Sequence, residues 1–242
     1  MNIVSSAKRQ IILDTETTGM NQGVGAIYLG HRIIEIGCVE VIDRRLTGRH
    51  YHEYINPQQL IDAEAIEVHG ITNEFVADKP KFAEISHHFI DFIDGAEVVA
   101  HNANFDVSFM DHEFSLLRPS GPKTADICSI LDTLAIAKYL HPGQKNNLDA
   151  LCKRYGIDNS RRDLHGALLD AEILADVYLM MTGGQTKFNL SNEKEGSEAG
   201  GIIRLSKNRG KLKVIGATAD ELIKHEERLD LVAKSGQCIW RG

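Results

Sequence analysis

Three β-branched runs follow one another closely near the start of the chain, at residues 10–14, 32–43 and 50–55, and the middle one, RIIEIGCVEVID, alternates in character. Separations this short suit an antiparallel meander, because parallel neighbours need long crossover connections. The period then changes. KFAEISHHFIDFI (81–93) carries apolar residues at helical spacing, AEVVAHN (96–102) is a short buried strand, and NFDVSFMDHEFSLL (104–117) returns to helix. ADICSI (125–130) is predicted as a further strand, ahead of helices near 132–140, 147–155 and 166–181. A meander followed by alternating helices and strands predicts an α/β fold, a mixed sheet flanked by helices.

The sequence changes character after Met181. Residues 182–201, TGGQTKFNLSNEKEGSEAGG, are dominated by Gly, Ser, Asn and Glu and bury too little apolar surface to offset the entropy of ordering, so they read as a flexible linker. Beyond it, IIRLSKNRGKLKVIGAT reads as a hairpin and ADELIKHEERLDLVAKSG as an amphipathic helix carrying Leu222, Ile223, Leu229 and Val232. A segment of this size, residues 202–242, is too short for a core of its own and is expected to bind a partner. The 242 residues thus divide into one large domain, 1–181, a linker and a small C-terminal segment. No signal-peptide core or membrane span is visible, which predicts a soluble cytoplasmic protein with no membrane partner. Cys38, Cys128, Cys152 and Cys238 form no C-x-x-C pair, which points to reduced thiols rather than zinc or disulfides. The net charge of −7 argues against holding nucleic acid by phosphate neutralisation alone.

ILDTETTG, Ile12 to Gly19, ends an apolar run with Asp14 and Glu16 on one strand face. Two such carboxylates repel, and neither has a cationic neighbour in the segment. A divalent metal resolves this; the alternative is a solvated turn built from Thr15, Thr17, Thr18 and Gly19. A third acid, Asp106, follows the strand at 96–102, with Asn102 as a helix cap and Phe105 and Phe109 on the buried side. A fourth, Asp170 in LHGALLDAEILADVY, borders the apolar stripe of its helix. Alone, Asp106 reads more readily as an ordinary first-turn acid and Asp170 as an ordinary boundary residue.

Taken in order, ILDTETTG, VVAHNANFDVSFM and LHGALLDAE resemble the three motifs of the DEDDh family of 3′-to-5′ exonucleases. DTETTGMN, RIIEIG, VHGI, NLDALCKRY, HEERLDLV and the terminal CIWRG extend the likeness along essentially the whole chain, to the branch that proofreads for bacterial replicative DNA polymerases. The resemblance implies a ribonuclease-H-like exonuclease fold, with Asp14, Glu16, Asp106 and Asp170 holding two divalent cations, Mg²⁺ or Mn²⁺. It makes His165 the general base: H-x-x-x-x-D marks the histidine subclass, and an imidazole of ordinary pKa near about 6.5 accepts a proton at neutral pH. It places Thr15 and Thr18 near the terminal nucleotide, Glu64 near its sugar and His69 near the base or ribose. Asn102 and Phe105 would line the path of the strand, against the readings of a cap and a core residue. Arg161 and Arg162 are either phosphate contacts or simply solvated.

The implied function is removal of mispaired nucleotides from the 3′ end of single-stranded DNA, with residues 202–242 bound to the catalytic subunit of the replicative polymerase. Gln185 to Leu190, with Phe188 as a plug, is a candidate sliding-clamp peptide, against a plain linker. The resemblance adds a small accessory subunit as a candidate partner, on no residues of its own. The competing readings are an RNA-trimming exonuclease of the same superfamily and a non-catalytic replisome adaptor. The intact set of four repelling acids weighs against the adaptor.

Overall fold

The first apolar run forms the central strand of a five-stranded sheet. It is β1 (Arg9–Thr17), antiparallel to β2 (Ile33–Ile42) on one side and parallel to β4 (Glu97–Ala100) on the other. β3 (Arg45–Tyr54) extends the antiparallel side and β5 (Ser129–Asp132) the parallel side, in the order β3-β2-β1-β4-β5. The structure is a computed structural model and describes residues 8–160, 164–183, 216–235 and 240. The chain divides into two compact units, 1–187 and 188–242.

Both faces of the sheet are covered, so Ile11, Ile12 and Leu13 are all fully buried, each worth roughly 1.5–3 kcal/mol. The pleat sends them in opposite directions. Ile11 and Leu13 join Ile33, Ile36 and Cys38 in a core completed by α3 (Phe82–Ile93) and α4 (Ala103–Leu117). Ile12 joins Val39, Val41 and Val99 against Leu174, Ala175 and Tyr178 of α8 (Ala167–Thr182). This is the mixed, helix-flanked sheet that the strand pattern predicts.

Three expectations need correction. β3 begins at Arg45 rather than residue 50, because Asp43 (φ 47°) and Arg44 (φ 64°) form a two-residue hairpin turn of positive φ. Residues 125–130 are not one strand: α5 (Thr124–Ile127) precedes β5. The cause is a tertiary contact, since Asp111 Oδ1 accepts both the N–H and the hydroxyl of Thr124 at 2.7 Å and fixes the start of a helical turn. The stretch between β3 and α3 holds two helices unread from the sequence, α1 (Ala63–His69) and α2 (Asn73–Val76). Beyond β5 come α6 (Thr133–Leu140) and α7 (Leu148–Tyr155), close to the predicted spans.

In the second unit the predicted helix is α9 (Ala219–Ser235). Most of the linker (184–201) and of the hairpin (202–215) lies outside the described residues. Among the described residues no helix is long and apolar enough to cross a membrane.

Candidate active site

The C-terminal ends of β1 and β4 open into a cleft of about 290 Å³. Asp14 and Glu16 reach it from β1, Asp106 from the first turn of α4, Asp170 from the first turn of α8, and His165 from the segment before α8. The five residues singled out from the sequence, distant along the chain, therefore line one cleft. Ligand atoms of Glu16, His165 and Asp170 lie within 4.8 Å of one another, and His165 Nδ1 stands 3.2 Å from Asp170 Oδ2. Asp170 is buried, whereas His165 is partly exposed and its backbone N–H donates to the carbonyl of Val68 at 3.1 Å.

Asp106 is only 3% exposed, and burial pushes its carboxyl up to about 7 despite the hydroxyl of Thr15, which donates to Oδ1 at 2.7 Å. Cys38 lies close enough to feel the same charges. Burial first, then Asp106 and Asp14, raise its thiol well above the ordinary range. A carboxyl buried as deeply as that of Asp106 carries its charge at lower cost when a cation joins it. The donor set of four carboxylates suits a hard divalent ion rather than a thiolate-loving one.

A second hollow, about 240 Å³, borders the cleft through Glu16 and Phe105 and is lined further by Met20, Glu64, Val68 and His69. Phe105 thus faces both spaces while packing on the core through Phe109. His69 is buried, which lowers its pKa, and its Nδ1 accepts the Ile71 N–H at 3.0 Å, so the ring is neutral with its hydrogen on Nε2. Glu64 stands exposed at the rim.

Two residues sit differently from the local sequence pattern. Thr18 does not reach either space: it is 0% exposed, and its hydroxyl accepts from the Arg32 N–H and Gln59 Nε2, both at 3.0 Å. Its role is to close the loop after β1. Asn102 occupies the N-cap position of α4, yet its backbone is left-handed (φ 68°, ψ 51°) and its side chain makes no capping bond. Its N–H donates to Asp132 Oδ1 at 3.0 Å, and the residue lines the cleft instead. Thr15 also lines the cleft, with its hydroxyl committed to Asp106. Arg161, Arg162 and the stretch Gln185 to Leu190 lie outside the described residues.

The cleft contains residues that the sequence reading passed over, among them Asn147 and Asp149 at the start of α7. Asn147 caps that helix by accepting the Ala150 N–H at 3.1 Å, and Asp149 accepts from Asn159 at 3.1 Å. The available signal was an N-cap followed by a first-turn acid in NLDALCKRY.

Comparisons with known proteins agree with this geometry. The family described as "Exonuclease" matches residues 11–178. The DNA polymerase III subunit epsilon of Escherichia coli is 57% identical over 237 residues, covering 96% of this chain and 97% of that protein. The subunit of the same name from Haemophilus influenzae is 56% identical, covering 96% and 94%. Among solved structures, exonuclease X in complex with 5′ overhanging duplex DNA superposes with a TM-score of 0.54 at 29% identity, over 72% of this chain and 92% of that one.

Proposed function

Because the chain belongs to the exonuclease family and, within it, to the DNA polymerase III epsilon subunits, we propose that it excises mispaired nucleotides from the 3′ end of a growing DNA strand as a subunit of the replicative polymerase. The 3′-to-5′ exonuclease activity goes with the family. The observation that carries the reading of the site is the meeting of Asp14, Glu16, Asp106, Asp170 and His165 in one cleft, beside a hollow walled by Phe105 and His69.

Two divalent ions, Mg²⁺ or Mn²⁺, held by Asp14, Glu16, Asp106 and Asp170, would supply charge stabilisation for the phosphate, for the attacking water and for the leaving 3′ oxygen. His165 takes a proton from the water at Nε2, the ring nitrogen not turned towards Asp170. The hollow takes the terminal nucleoside, with Phe105 as a stacking face, Glu64 at the sugar and the neutral His69 offering an N–H to base or ribose. Thr15 acts through Asp106, whose position its hydroxyl fixes. Asn102 guides the incoming strand. A mismatch is the least costly end to unpair and deliver to such a site.

The domain reading goes with this function. Residues 1–181 form the nuclease, residues 202–242 bind the polymerase catalytic subunit, and Gln185 to Leu190 reach the sliding clamp; a small accessory subunit is a further candidate partner of the nuclease. The test is hydrolysis of primer-templates with matched or mispaired 3′ ends, alongside deoxy- and ribo-oligonucleotides of one sequence. Release of deoxynucleoside monophosphates, fastest from the mispaired end, is expected. Preference for the ribo strand would make the protein an RNA-trimming enzyme, and binding without hydrolysis would make it an adaptor.

A further inference from the structure

Two residues of β2 stand directly across from the two acids of β1: Gly37 opposite Asp14, and Glu35 opposite Glu16. Cross-strand partners share a face of the sheet, here the face against which α8 packs. Both are committed to the N-terminus of that helix. Glu35 is 2% exposed; its Oε2 accepts the Ala167 N–H at 3.1 Å, and its Oε1 meets His52 Nε2 at 2.7 Å. Gly37 contributes an absence of side chain: a Cβ there would collide with the carbonyl carbon of Ala167 and the nitrogen of Leu168, backbone atoms that cannot swing aside.

We propose that Glu35 and Gly37 are positioning residues of the exonuclease site, setting the height and register of α8 over β1 so that Asp170 and His165 meet Asp14 and Glu16. The inference rests on the reading of those four residues as the reacting centre. Stability alone is a poor reason for Glu35, because a buried hydrogen-bonded polar pair is commonly no better than an apolar pair of the same shape. Position is what it supplies. Ala167 lies two residues after His165 and three before Asp170, so at about 1.5 Å of rise per residue any shift of its backbone passes to both. A displacement near 1 Å is worth about a hundredfold in rate at such a site.

The experiment separates reach from charge in the full chain. Glu35→Gln keeps an acceptor at the same distance without the charge. Glu35→Asp keeps the charge and withdraws the acceptor by one methylene. Gly37→Ala lifts the helix. Each is assayed for kcat and KM on a single-stranded deoxyoligonucleotide, and for Mn²⁺ affinity by calorimetry without DNA. Glu35→Asp and Gly37→Ala are expected to lose about 10–100-fold in kcat and in Mn²⁺ affinity with the strand KM within about twofold, while Glu35→Gln recovers most of both. Parental kcat and Mn²⁺ affinity in Glu35→Asp, or a Glu35→Gln protein as impaired as Glu35→Asp, overturns the proposal. Should Gly37→Ala not fold, the Gln and Asp pair decides. Should the parent bind Mn²⁺ yet cleave no DNA, the exonuclease reading fails, and the calorimetric comparison still decides the positioning role.

Discussion

The hydroxyl of Thr15 on β1 donates a 2.7 Å hydrogen bond to Oδ1 of Asp106 on α4, joining strand and helix at the cleft. That bond favours the ionised carboxylate, yet burial outweighs it and holds Asp106 up at about 7.

Linkage turns this into a stability prediction. An unfolded aspartate titrates near about 3.9. The folded value is raised, so the stability that protonated Asp106 contributes is complete below the unfolded pKa and is lost as pH rises through about 7. Metal-free Asp106→Asn, with no charge to bury, is expected to melt several degrees above the parent at pH 8 and no higher at pH 4. Thermal melts in EDTA at the two pH values check it; equal melting at pH 8 would count against the buried charge. Its hydrolysis should fall by orders of magnitude.

Metal should act on the same cluster in the opposite sense. Mn²⁺ at a hundred times its Kd is expected to stabilise the protein by about 2.7 kcal/mol, and EDTA to abolish hydrolysis. Asp14→Ala and Asp170→Ala should remain folded, lose the Mn²⁺-induced shift in Tm and lose turnover. A full shift in either variant would remove that residue from the ligand set.

His165 is tested by the shape of a pH profile. A base must be neutral to accept a proton, so single-turnover rates should rise with pH along an ascending limb. His165→Ala is expected to lose about 10²–10⁴-fold in rate and to flatten that limb, with strand KM unchanged. A limb that survives in the alanine variant assigns the base elsewhere.

How far the site was legible depends on the reach of each cause. Asp14 and Glu16 could be read because strand spacing alone puts them on one face, and Asp170 because it borders a visible apolar stripe. Thr18 lies away from both spaces because its hydroxyl is claimed by Gln59, 41 residues away. The 125–130 strand failed for the same kind of reason, a Thr124 contact to Asp111 across 13 residues. Glu35 and Gly37 sat in plain view in RIIEIG, yet their roles depend on Ala167, 132 residues beyond Glu35, and on a register that no local pattern encodes.

Arg32, at the start of the same run, fixes the other helix. Its Nε and Nη2 donate to the two oxygens of Glu113 on α4 at 2.7 and 2.6 Å, and Glu113 Oε1 also accepts the Ile33 N–H at 3.1 Å. Glu113 is 1% exposed, so Arg32→Ala strands a buried carboxylate and is expected to cost about 3–5 kcal/mol in urea denaturation. Arg32→Ala with Glu113→Ala should cost less than the sum of the two. Additive losses would show that the pair is not coupled.

The last prediction concerns the second unit. A chain of net charge −7 does not concentrate itself on DNA through its own field, yet excision must follow promptly whenever synthesis stalls on a mismatch. Attachment to the polymerase would solve this by raising effective concentration. The helix α9 leaves Leu222, Ile223, Leu231 and Val232 exposed, and Trp240 is 78% exposed. Large apolar side chains in that state fit a partner groove, and Trp is a frequent anchor of such interfaces. The first unit carries its own core. A chain ending at Gly184 is therefore expected to keep parental hydrolysis of single-stranded DNA and to lose co-migration with the polymerase catalytic subunit, while residues 202–242 alone bind it. Replacing Leu222 and Trp240 by alanine in the full chain should weaken association tenfold or more with hydrolysis unchanged. Parental affinity in the truncated chain would place the attachment on the nuclease unit.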